Sequence, residues 1–218
     1  MVARAAAFVD GLNLYHGLRD AALLKYRWLD VDGMADSLAA DAGGPLGVSL
    51  DVTRVVYCTS PVADKGAARR QDIYLQALQQ HCSRVEIRRG TYEEKTRECA
   101  RCGARVGFQT EKQTDVNLAV EMMLEAAKPV GHRAEVHLLI TDDTDLLPAV
   151  RAARSRGIEV VAIAPPARAR ARGALAGSTG GCEPHIDPDD GRCGTAPVVA
   201  SNGQSGLDKT AFAGGYCT

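Results

Sequence analysis

No apolar run in this sequence approaches the length of a membrane span. The opening stretch, MVARAAAFVD, has one arginine and a short apolar run that meets an aspartate at once, which argues against a secretory leader. A cytoplasmic location is the corresponding expectation. An excess of charge is also missing: the formal net charge is −1. Dedicated nucleic-acid binders are usually basic as a whole, so only local charge can argue for such a partner. The cysteines number seven. An odd count without a secretion signal argues against a disulfide framework. There is no internal repeat. What remains is the composition of an ordinary soluble globular chain, 45% hydrophobic and 24% charged. Its 218 residues suffice for one sizeable domain with a tail, or for two small domains.

Short apolar runs alternate with amphipathic ones. Ala5 to Val9 reads as a buried strand ending in Asp-Gly. Asn13 to about Leu24 reads as a helix with Leu14, Leu18 and Leu24 on its apolar side. Val31 to Ala40 reads as a second helix capped by Asp30 or Asp32, and Asp41 to Ser49 as a Gly/Pro loop. Thr53 to Cys58 is a β-branched strand, followed by a helix over Gly66–Cys82 with Ile73, Leu75 and Leu78 as its apolar positions. Arg84 to Arg88 alternates like a half-buried strand. Thr91 to Glu111 reads as an inserted hairpin or knuckle. Asp115 to Ala127 is a strong helix, with Val116, Ala119, Val120, Met123 and Leu124 as the expected buried face. Glu135 to Ile140 is a strand, Leu146 to Arg156 a helix ended by Gly157, and Ile158 to Ala164 a last strand stopped by Pro165-Pro166. Strands alternating with helices predict an α/β domain with a parallel sheet covered on both faces. Ligands in such folds bind beyond the carboxyl ends of the strands.

Acids fall at those places. Asp10 ends the first strand, Asp115 opens a helix, and Asp143 and Asp145 follow the strand over Glu135–Ile140. Clustered carboxylates repel one another unless a cation lies between them. Hard oxygen donors suit Mg²⁺ or Mn²⁺. Each acid also has a plainer reading: Asp10 as a turn former before Gly11, Asp115 as an N-cap, and Asp143 and Asp145 as caps of the helix near Leu146. Their shared end of the sheet favours the metal reading.

Three segments carry a family resemblance: FVDGLNLYHGL (Phe8 to Leu18), EKQTDVNLAVEMM (Glu111 to Met123), and LLITDDTDLLPAVRAARSRGIEVVAIAPP (Leu138 to Pro166). Together, and in this order, they resemble the NYN domain, a branch of the PIN-like ribonuclease superfamily. The resemblance implies a PIN-like three-layer α/β/α fold over residues 1–166, with a cysteine-containing insert at 90–111. It also implies divalent-metal-dependent cleavage of RNA. On this resemblance Asp10, Asp115 and Asp143 match metal ligands, Asn13 orients Asp10, and Asp145 is the second acid of the turn. Glu121 falls where many members have another helical acid, but it does not share a helical face with Asp115 and is held outside the ligand set. The chain departs from the family at Asp142, where a small glycine is usual. If that turn needs a positive φ, aspartate tolerates it less well than glycine.

The remaining features are local. Cys99-Ala-Arg-Cys102 has the form of a zinc knuckle, but a structural zinc needs four ligands. Cys58, Cys82, His81 or a second copy of the chain, in a homodimer, would have to complete it; otherwise the pair are reduced thiols. Arg84, Arg88, Arg89, Lys95, Arg97, Arg101 and Arg105 crowd one stretch, and Arg97, Arg101 and Lys112 are candidates for gripping RNA phosphates. Lys112 reads somewhat more readily as a solvated surface lysine. Residues 167–218 lack the apolar residues for a further helix or strand and read as a flexible tail. Two functional classes result: a metal-dependent ribonuclease, or an RNA-binding module that keeps the fold with weak catalysis. A phosphatase of the Asp-x-Asp type is disfavoured because Leu12 stands where the second acid would be.

Overall fold

A computed structural model shows how these elements assemble. It describes residues 1–62, 64–98, 105–168, 182–186 and 193–197, the last two segments and parts of 91–112 by their backbone course. The order is β1 (Val2–Asp10), α1 (Gly11–Asp20), a 3-10 turn (Leu24–Tyr26), α2 (Val31–Leu46), β2 (Ser49–Thr59), α3 (Lys65–His81), β3 (Val85–Arg89), β4 (Thr91–Glu98), β5 (Arg105–Lys112) and α4 (Thr114–Ala127). Then follow β6 (Val136–Ile140), a second 3-10 turn (Thr144–Leu146), α5 (Leu147–Ser155), β7 (Glu159–Ile163), β8 (Cys182–Ile186) and β9 (Cys193–Pro197).

Five strands form a parallel sheet in the order β3-β2-β1-β6-β7. The chain leaves β1 toward β2 and β3, then returns to the other side of β1 for β6 and β7. This reversal opens a crevice beyond the carboxyl ends of β1 and β6. Side chains alternate across the sheet. Ala5, Ala7 and Val9 enter one core with Leu14, Leu18, Leu38, Leu75 and Leu78 from α1, α2 and α3. Ala6 and Phe8 enter a second core with Leu118, Met122, Val150 and Ala153 from α4 and α5. The result is the expected α/β/α sandwich of a PIN-like domain. Among the described residues no helix is long and apolar enough to cross a membrane.

Several boundaries differ from the sequence reading. Helix α1 stops at Asp20, and Ala22 adopts a positive φ of 59°, so Leu24 falls in the 3-10 turn. Helix α2 runs through the presumed loop to Leu46, with Pro45 in its last turn and Gly47 at φ 67° closing it. A Cβ on Gly43 would lie 2.5 Å from the carbonyl oxygen of Val48, so that glycine serves close packing rather than a loop. In α3, Leu75 and Leu78 are buried but Ile73 is exposed. The inserted segment is an antiparallel hairpin, Thr91 opposite Lys112 and Glu98 opposite Arg105. The stretch read as tail supplies two edge strands: β8 meets β7 at one pair, Ile163 with Cys182, and β9 runs antiparallel to β8. Edge pairing is made by backbone groups, so it does not need the apolar side chains whose lack suggested a tail.

The largest correction concerns α4. Its buried positions are Leu118, Met122 and Ala126, with Glu121 and Glu125 beside them. Val116, Val120 and Leu124 are 62%, 48% and 57% exposed. Two apolar stripes exist on this helix, and the one that faces the core is the one flanked by acids. The reason lies on β2. Arg54 donates to both oxygens of Glu86 at 2.8 Å, to Glu121 at 2.7 Å and to Glu125 at 3.4 Å. Arg88 pairs with Glu86 and Glu121 as well. Glu125 also accepts from Lys128 at 2.6 Å and from the Ala134 amide at 3.0 Å. Burial opposes ionisation of Glu121 and Glu125. The cationic partners outweigh it and hold both below the ordinary carboxylate range.

His137 on β6 is wholly buried, stacks obliquely on Phe8 at 4.8 Å, and has no hydrogen-bond partner for either ring nitrogen. Burial pushes its pKa from 6.5 down to about 4. The folded protein therefore binds fewer protons than the unfolded chain between these values. Stability attributable to this group is full above pH 6.5 and falls as the pH drops toward about 4, by at most about 3 kcal/mol. In urea titrations over that range, His137→Leu should flatten the acid side of the stability profile. An unchanged slope would show that His137 does not cause it.

Candidate active site

The crevice beyond β1 and β6 is lined by hydrogen-bonded acids. Asp10, at the end of β1, is 5% exposed. It caps α1, its Oδ1 accepting from the Asn13 amide at 3.0 Å. Its Oδ2 accepts from the Thr141 hydroxyl at 3.2 Å. That hydroxyl in turn accepts from the Asp143 amide at 3.1 Å. Asp143 Oδ1 accepts from the Asp145 amide at 2.9 Å, capping the second 3-10 turn. The Asn13 side-chain oxygen accepts from the Asp142 amide at 3.3 Å. One network thus ties α1 to the turn after β6. Both plain readings hold here: Asp10 and Asp143 are caps, and capping is what aims each carboxylate at the crevice.

Glycine at position 11 has a steric reason. A Cβ there would lie 2.5 Å from the Tyr57 ring, so only glycine lets α1 start this close to β2. Asp142 is not among the residues with positive φ. The turn therefore accepts aspartate without strain, and the concern raised by the missing glycine does not arise.

Asp115 reaches the same edge by another route. The Ser60 and Thr114 hydroxyls stand 2.6 Å apart, which pins the start of α4 to the end of β2. Gln113, at φ 76°, is the capping residue, so Asp115 lies in the first turn and is not the cap. The Cys58 thiol reports on this neighbourhood. Cys58 is paired with Asp10 across β1 and β2. Burial first, then the charges of Glu121, Asp10 and Asp115, push its pKa up to about 12. Three acids therefore act on one buried point. Glu121 nonetheless belongs to the Arg54 network rather than to the crevice.

Carboxylate oxygens oriented by neutral donors, an amide and a hydroxyl, are suitable donors for a hard divalent cation. Among the described residues, however, no three His, Cys, Asp or Glu side chains form a ready-made metal site. The expected gathering of Asp10, Asp115 and Asp143 within one ion's reach is not preformed.

Several arginines of the basic stretch are held in ion pairs. Arg84 is committed to Asp36 at 2.7 Å, Arg89 to Asp72 at 2.9 Å, and Arg88 to the Glu86–Glu121 pair. Lys112 is exposed, with Nζ 3.9 Å from Glu93. The Arg97 backbone lies on β4 opposite Val106, but its side chain lies outside the described residues. Arg101, Cys99 and Cys102 also lie outside them, as do the tail residues not in β8 or β9. Sequence reasoning assigned no role to Thr141, the hydroxyl that joins Asp10 to Asp143. Its position between an apolar strand and an acidic turn was the available signal.

Comparison with known proteins adds the family. No curated protein matches the chain. Among solved structures, a protein of unknown function from Vibrio parahaemolyticus is similar, with 16% identity, a TM-score of 0.44, and coverage of 74% of this chain and 81% of the other. The model of the NYN domain matches residues 4–175, from the first strand past the Pro165-Pro166 turn. The chain thus belongs to the NYN domain family, within the PIN-like nucleases.

Proposed function

We propose that this protein is a metal-dependent ribonuclease that hydrolyses RNA phosphodiester bonds in the crevice beyond β1 and β6. The observation that carries this reading is the Asp10–Thr141–Asp143 chain of hydrogen bonds at the reversal of strand order, in a member of a nuclease family. Asp10, Asp115 and Asp143 would hold Mg²⁺ or Mn²⁺. When bound, such an ion lowers the pKa of a water and offsets charge on the phosphate. The chain's own groups do the positioning. Asn13 braces the turn through the Asp142 amide, and Thr141 fixes the orientation of Asp10. Asp145, exposed at the mouth of the crevice, contributes its amide to Asp143 and its charge to the field around the ion. Lys112, Arg97 and Arg101 would meet RNA phosphates.

The reading is tested with labelled single-stranded and hairpin RNA. Cleavage is expected with Mn²⁺ or Mg²⁺ and none in EDTA. Metal-independent cleavage would overturn the reading, and binding with no cleavage under any divalent ion would favour the alternative of an RNA-binding module that keeps the NYN fold. The same preparations test the knuckle: if Cys99 and Cys102 hold zinc, metal analysis finds about one zinc per chain, or half that if two copies share it.

A further inference from the structure

Immediately beside Asp10 the surface opens into a cavity of about 210 Å³ between α1, the 3-10 turn, β2 and α3. That is below the ~300 Å³ at which pockets for drug-sized molecules begin, and suits one flat ring system. Gly11, the residue after Asp10, forms part of its wall. Its sides are aromatic. Trp28 meets Tyr74 edge-on at 6.0 Å, and Tyr74 meets Tyr57 edge-on at 6.3 Å. Tyr74 is fixed by donating to the Leu29 carbonyl at 2.9 Å. Trp28 and Tyr15 are 45% and 44% exposed although they line this apolar space.

The rim carries charge of one sign. Arg27 and Arg70 both line the mouth, both are exposed, and neither is ion-paired among the described residues. This contrasts with Arg54, Arg84, Arg88 and Arg89, which are all committed to acids. An apolar, aromatic slot with two uncommitted guanidiniums at its mouth matches a molecule that is flat and apolar at one end and anionic on either side. An unpaired nucleotide within a strand has that form.

We propose that the cavity receives one unstacked base of a single-stranded RNA. Trp28 and Tyr15 supply the stacking faces, and Arg27 and Arg70 meet the flanking phosphates. The proposal rests on the ribonuclease reading for its choice of an RNA strand as the ligand of this cavity. A base inside a duplex is stacked and cannot enter. Stacking by itself discriminates little among bases, so the cavity selects strand state more than sequence.

Trp28 is the only tryptophan of the chain, so its fluorescence reports on the cavity alone. Short oligouridylate and oligoadenylate are titrated into the full-length protein in EDTA, so that no strand is cut, beside an abasic ribose-phosphate oligomer of equal length. Saturable quenching by the two base-bearing strands, absent with the abasic strand, is expected. Ala67→Phe, which fills the cavity from α3, should weaken binding about 5- to 150-fold by anisotropy of a labelled strand. Trp28→Leu should weaken it similarly, and gives the same test should the filled variant fail to fold. Equal quenching by base-bearing and abasic strands, or none by either, overturns the proposal. Divalent-dependent cleavage without base-dependent quenching also overturns it and leaves the ribonuclease reading standing. Base-dependent quenching without cleavage under any divalent ion does the reverse.

Discussion

Asp143→Asn is expected to lower divalent-dependent RNA cleavage by at least about 100-fold, a typical cost of losing one charge-stabilising contact in a transition state. The fold should survive, because asparagine caps helices as well as aspartate. Its side-chain oxygen can still accept from the Asp145 amide, now 2.9 Å from Asp143 Oδ1. What disappears is the negative charge, and with it a strong ligand for a hard cation. RNA affinity should change little, since basic side chains supply most of it. Loss of one carboxylate from a crowded edge also relieves repulsion, so metal-free stability should hold or rise slightly. Asp10→Asn is a less clean experiment. Asp10 accepts on both oxygens, from Asn13 and from Thr141, and an amide can accept on only one. Cleavage assays paired with thermal melts separate the two effects. Equal cleavage rates for wild type and Asp143→Asn would leave Asp143 as a helix cap and nothing more.

Arg54→Met should be the most destabilising single change away from the crevice, by about 3–5 kcal/mol. Methionine fills much of the same space but leaves Glu121 and Glu125 facing the core without their shared cation. Their side chains are only 10% and 3% exposed, so water cannot replace the arginine. Glu86, at 41%, can turn to solvent and matters less. The network also predicts acid sensitivity. Hydrogen bonds from Arg54 hold Glu86 at about 2, against an ordinary value of 4.5. A carboxylate lowered in the folded state lends stability above its unfolded pKa, and that stability is lost as the pH falls from about 4.5 toward 2. Urea midpoints across this range should fall steeply in wild type and less so in Arg54→Met. Neutralising the acids as well, with Glu121→Gln and Glu125→Gln, should recover part of the loss. A midpoint unmoved by Arg54→Met would mean that the acids find other partners.

The parallel sheet and the acidic edge were legible from the sequence because each rests on local pattern. Ala5 to Val9 and Val136 to Ile140 are short apolar runs between turn signals, and their buried alternation follows from strand geometry. The acids follow those runs directly, so their common edge came with the sheet. The orientation of α4 was not legible. Val116, Val120 and Leu124 repeat at the same spacing as Leu118, Met122 and Ala126, and periodicity cannot choose between two apolar stripes. The usual tie-break places acids outside, and it failed because Arg54 arrives from a strand sixty-odd residues earlier in the chain. Thr141 was overlooked because a hydroxyl at a strand end becomes informative only when its partner, 131 residues away, is known.

That long separation has a consequence for how the protein is made. Asp10 is synthesised well before the turn that braces it, which emerges only after β6. Until then α1 has its cap but the crevice has no second wall, since β6 is the strand that flanks β1 on that side. Pairing between strands so far apart is intrinsically slow, because the loop must close before its contacts repay the cost. A growing chain, or a fragment cut before Thr141, holds Asp10 without the hydroxyl that orients it. The assembled crevice therefore cannot precede the pairing of β6 with β1.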